Sequence, residues 1–103
     1  MSQAALREAD GGRWRLSGVL DFASVPVVWP DLQRALSGQR SLTLTLDGVE
    51  RSNSAGLVLL VEAIDAARTA GCALELADIP DELLDLARMS NCVDLLGAGD
   101  AVS

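Results

Sequence analysis

The chain has 103 residues, half of them apolar, a formal net charge of −7, and neither His nor Lys; all eight basic residues are Arg. That length fits one domain able to bury a core without metals or disulfides. Without His there is no Ser–His–Asp triad, Cys–His pair or His-bearing zinc site, without Lys no Schiff base or Walker A loop, and so acidic a chain is a poor match for nucleic acid.

Leu6 to Ala9 is a weak strand candidate, Gly11-Gly12 a turn signal, and Arg13 to Ser17 alternates polar and apolar. Together they predict an N-terminal hairpin. From Ser24 to Ser37 the apolar residues Val25, Val28, Trp29, Leu32 and Leu36 define one helical face. Ser24 is the expected N-cap and Gly38 the stop. Pro26 suits a first turn, whereas Pro30 predicts either a kink or a later start. Ser41 to Leu46, with Thr alternating with Leu, predicts a strand, and Asp47 to Asn53 reads as a loop.

Ser54 to Ala70 predicts a helix closed by Gly71, with Glu62, Asp65 and Thr69 as its polar stripe and the rest largely buried. Ala73 to Ala77 is a short strand, and Pro80 to Ser90 a helix with Asn91 as its cap. Val93, Leu95 and Leu96 form a short apolar patch in the tail. The order β-β-α-β-α-β-α implies a mixed sheet, antiparallel at the hairpin and parallel across the helical crossovers. The core is expected to be Leu, Val and Ala, with Cys72 and Cys92 as structural thiols and Trp14 over the sheet.

Three segments resemble the STAS family, which includes the anti-sigma factor antagonists and the cytoplasmic tails of sulfate transporters. They are Leu16-Ser17-Gly18-Val19-Leu20-Asp21, the run Leu44 to Leu57, and Glu82 to Met89. The resemblance implies one STAS domain over residues 1–103: an α/β fold with a mixed sheet of four or slightly more strands, an N-terminal hairpin and three to four helices. Within the family, Arg51-Ser52-Asn53-Ser54-Ala55-Gly56-Leu57-Val58-Leu59-Leu60 is similar to the MlaB-type subunit of the Mla phospholipid ABC transporter. The antagonist branch usually carries Asp, Ser and Asp where this chain has Asn53, Ala55 and Thr45.

The MlaB-type resemblance implies a cytoplasmic, non-enzymatic subunit without a cofactor. It would bind the transporter's ATPase, within a complex that also holds permease and lipid-binding subunits, and serve outer-membrane lipid asymmetry. The alternative is an anti-sigma factor antagonist switched by phosphorylation of Ser54. The expected partner-binding residues are Trp29, Arg51, Asn53, Ser54, Ala55 and Gly56. Trp29 also fits the core beside Val25 and Leu32, and Ser54 also reads as a plain N-cap; the small Ala55 and Gly56 would let a partner's backbone approach. No apolar run approaches the roughly 20 residues of a membrane span, and the N-terminus lacks the features of a signal peptide. The chain is expected at the inner face of the inner membrane only through its partner, with no insertion of its own.

Overall fold

The computed structural model describes residues 4–90. The elements run β1 (Ala5–Asp10), β2 (Arg13–Leu20), α1 (Val25–Ser37), β3 (Ser41–Ser52), α2 (Ser54–Ala70), β4 (Ala73–Ala77) and α3 (Asp81–Met89). The four strands lie in the order β1-β2-β3-β4, with β1 antiparallel to β2 and the other pairs parallel. This is the α/β mixed sheet with an N-terminal hairpin that the pattern of elements predicts. The expected cap Asn91, the thiol Cys92 and the apolar Val93, Leu95 and Leu96 lie outside the described residues.

The period-two pattern of β3 decides which face is covered. Leu42, Leu44 and Leu46 are buried and join Leu16 and Leu20 of β2 beneath the helices. The helices return Leu32, Leu36, Leu59, Leu60 and Leu83, all fully buried, with Ala35, Ala63, Ala67 and Ala87 filling the gaps. Val28 is the one buried valine among the described residues, with Val25, Val49 and Val61 half-buried against the core, so the expected Leu, Val and Ala core is mostly Leu and Ala. Trp14 is half-buried against this core, its indole Nε1 enclosed without a hydrogen-bond partner among the described residues. The opposite face of the sheet is polar: Arg15 pairs with Asp47 at 2.8 Å and Thr45 donates to Asp78 at 3.0 Å.

The structure decides three local points. First, α1 begins at Val25 and runs through Pro30. The amide that Pro30 lacks would have bonded the carbonyl of Pro26, and both residues are exposed, so solvent rather than the core meets the interrupted ladder. Second, Ser24 holds the N-cap position without capping. Its hydroxyl donates to the Val19 carbonyl at 2.6 Å and accepts from the Asp21 amide at 3.0 Å. Third, Asp47 to Ser52 is not a loop but the continuation of β3. Ser17, Gly18, Val19 and Leu20 of β2 pair with Gly48, Val49, Arg51 and Ser52, with two register shifts on the way. Such bulges let a polar, Gly-containing segment stay in a sheet while turning its side chains.

Candidate functional site

β2 and β3 are parallel and neighbours, so their C-terminal ends, Leu20 and Ser52, lie side by side. Both following helices therefore begin at the same end of the sheet. The Asn53 amide donates to the Leu20 carbonyl at 3.1 Å, closing the two strand ends together. Arg51 and Asn53 line a cavity of about 320 Å³ with Asp21, Ser52 and Glu82. Sequence reasoning missed Glu82 as a member of this site. Its Oε1 accepts from the Ser52 amide at 2.8 Å across 30 residues of chain, a contact with no local signature.

The start of α2 differs from its sequence reading at each small residue. Asn53, not Ser54, is the N-cap: its extended backbone presents Oδ1 to the Ala55 amide at 2.8 Å. Ser54 is the first helical residue and is exposed. Ala55 and Gly56 do not form an approach for a partner; both are buried within this chain. A Cβ at Gly56 would stand 2.0 Å from the Ser52 Oγ and 3.2 Å from the Leu20 Cβ. The small residue is needed because α2 packs closely over the ends of β2 and β3. Ser52 Oγ itself donates to the Asn53 carbonyl at 3.0 Å.

Trp29 is not in this cavity. It is half-buried in a separate groove of about 420 Å³ between α1 and α2, with Gln33, Glu62, Asp65 and Ala66. Its packing against the core matches the reading beside Val25 and Leu32, and it also lines this groove. Exposed apolar side chains were also not foreseen: besides Met89 at the end of α3, three belong to the segments around the starts of α1 and α2. Phe22 is 71% exposed in the connection before α1, Val27 is 65% exposed in the first turn of α1, and Val58 is 53% exposed in the second turn of α2. An exposed valine in α2 departs from the expectation that its non-polar residues are largely buried. All three belong to the end of the sheet where Arg51, Asn53 and Ser54 emerge. A pattern of helix faces could have flagged Val27 and Val58, which fall off the apolar stripes of their helices.

The Asp21 carboxylate turns the chain into α1. Its Oδ1 accepts from the Ser24 amide at 2.8 Å and the Ala23 amide at 3.0 Å. The Ser24 amide above all holds this carboxyl below the ordinary Asp value. Burial pushes the Cys72 thiol up, in keeping with a structural role. No group of three or more potential metal-ligating side chains occurs among the described residues. What this end of the molecule offers is hydrogen-bonding groups beside exposed apolar side chains.

The family model described as "Mlab, STAS domain" matches residues 4–97, and the chain belongs to this STAS family. No curated protein is significantly similar to it in sequence. Among solved structures, an anti-sigma factor antagonist from Mycobacterium paratuberculosis superposes with a TM-score of 0.70 at 14% identity, over 92% of this chain and 82% of that one. The anti-sigma factor antagonist SpoIIAA in its unphosphorylated form superposes with a TM-score of 0.65 at 11% identity, over 97% of this chain and 98% of that one. At such identities the likeness shows the shared fold.

Proposed function

We propose that this chain is a non-catalytic docking subunit of the MlaB type, binding the ATPase of a phospholipid ABC transporter. The observation that carries the docking role is the grouping of exposed Phe22, Val27 and Val58 at the sheet end that presents Arg51, Asn53 and Ser54. Large apolar side chains left in water at one end of a domain mark an interaction site. The family match at residues 4–97 and the similarity of Arg51 to Leu60 to the MlaB-type loop support the choice of partner. In this reading Trp29, Arg51, Asn53 and Ser54 face the ATPase, whereas Ala55 and Gly56 act only by letting α2 seat. The subunit supplies surface and no chemistry, stabilises or tunes the ATPase, and reaches the inner face of the inner membrane through it. No helix among the described residues is long and apolar enough to cross a membrane.

The test is co-purification of the tagged chain with the phospholipid-transporter ATPase of the same cell, for wild type and Ser54→Glu. The wild type is expected to capture the ATPase. Ser54→Glu should bind much more weakly while melting near wild type, because a carboxylate suits a helix start but must be desolvated in an interface. Capture of an anti-sigma kinase instead of the ATPase would transfer the chain to the antagonist branch.

A further inference from the structure

The α1–α2 groove says what kind of partner surface fits it. Its apolar lining is Trp29, Ala66 and Ala70, and Glu62 and Asp65 of α2 line it beside them. Both carboxylates are exposed, and neither makes an ion pair among the described residues; Arg68, three residues beyond Asp65, does not reach it. By contrast Asp31 and Asp85 on the other helices are each paired with an arginine of their own helix. Val58 lies one turn before Glu62 on the same side of α2, so an exposed apolar residue continues the groove toward the site described above.

Resting on the docking role just argued, we propose that this groove receives a cationic helical segment of the partner, with an arginine or lysine side chain lying over Trp29 between Glu62 and Asp65. An indole face attracts a cation most strongly of the aromatic side chains, and two flanking carboxylates add charge-assisted hydrogen bonds. An apolar residue one turn away on the incoming helix would meet Val58. Charge complementarity separates this occupant from the chain's own residues 91–103, which carry Asp94 and Asp100 and no basic side chain.

The probe is a short amphipathic Leu/Ala helix bearing two arginines on one face, compared with its glutamate counterpart. Binding to the full chain is followed by NMR, with the Trp29 indole N–H as reporter and the Trp14 indole as internal control. The arginine peptide is expected to shift the Trp29 resonance, the glutamate peptide to leave it unmoved. The pair Glu62→Gln/Asp65→Asn should weaken the arginine peptide about tenfold. The pair Glu8→Gln/Glu75→Gln, of equal net charge but placed on β1 and β4, should change it little. Equal losses in the two pairs would reduce the attraction to the overall acidity of the chain and overturn the proposal. So would contacts in the free protein between Trp29 and the methyl groups of Val93 to Val102, or between Trp29 and a second copy. The outcomes separate from those for the docking role. ATPase capture with no peptide binding sinks only the groove, and peptide binding at Trp29 without ATPase capture sinks only the transporter assignment.

Discussion

Glu82, in the first turn of α3, holds the backbone amide of Ser52 at the last position of β3, with 2.8 Å between Oε1 and nitrogen. Ser52 is 6% exposed, so this amide has little access to water if the carboxylate leaves. Glu82→Ala should therefore cost about 1–3 kcal/mol, the penalty for stranding a buried donor. Glu82→Gln keeps an acceptor oxygen and should cost less. Urea unfolding measures the difference, and amide hydrogen exchange at Ser52 localises it. Unchanged exchange at Ser52 in Glu82→Ala would mean that α3 does not secure this strand end.

The caps of α2 give a second comparison. Asn53→Ala removes the acceptor for the Ala55 amide and should lower stability by about 0.5–2 kcal/mol. Ser54→Ala should be nearly neutral, because the exposed Ser54 makes no capping bond. Thermal melts of the two variants decide between them. A larger loss at Ser54 would restore it as the cap.

At Gly56 the usual gain from Gly to Ala within a helix, about 1 kcal/mol, should be reversed. The added methyl meets the Ser52 Oγ at 2.0 Å and forces that hydroxyl off its bond to the Asn53 carbonyl. Gly56→Ala should destabilise by about 1–3 kcal/mol, as overpacked sites do. Adding Ser52→Ala removes the nearest atom and should recover part of the loss, although the Leu20 Cβ remains at 3.2 Å. Chemical unfolding of both single variants and the double variant tests the coupling; strict additivity would exclude the proposed clash.

Asp21 predicts an acid-sensitive turn. The Ser24 amide, with the Ala23 amide and the Ser24 hydroxyl, lowers its carboxyl pKa in the folded chain. Near that range the unfolded chain binds more protons than the folded one, so stability rises with pH. The contribution is complete above the unfolded value, about 3.9, and is lost as pH falls through the lower folded value. Asp21→Asn retains an acceptor oxygen but cannot titrate. Thermal melts of both proteins over an acid pH series should show a shallower decline for the variant. An identical decline would remove Asp21 from the acid response.

The elements whose side-chain period is uninterrupted were readable directly. Leu42, Leu44 and Leu46 alternate cleanly, and the helix from Ser54 to Ala70 ends where Gly71 takes a left-handed φ of 74°. The second half of β3 was not readable. Asp47-Gly48-Val49-Glu50-Arg51-Ser52 has weak strand propensity, and its extended form depends on pairing with β2 through two register shifts. Of the site residues, Arg51, Asn53 and Ser54 emerge at one sheet end, whereas Trp29 lines the neighbouring groove. Their placement follows from which strands are adjacent, which no local window contains.

Residue types and their spacing alone determined that this chain is an α/β domain of the order β-β-α-β-α-β-α and that it lacks the His and Lys on which many catalytic sites depend. Those are properties of single residues and of patterns a few residues long, the range over which backbone propensity and amphipathic period act. The tertiary structure decided which groups are surface and which are mortar. Ala55 and Gly56 look alike as small residues beside Ser54, yet they are buried because α2 crosses the ends of β2 and β3. Glu82 looks like any acidic residue at a helix start until β3 brings the Ser52 amide within reach. Burial and partnership of this kind arise from contacts between segments distant in the chain, and they exist only once the sheet has set those segments side by side.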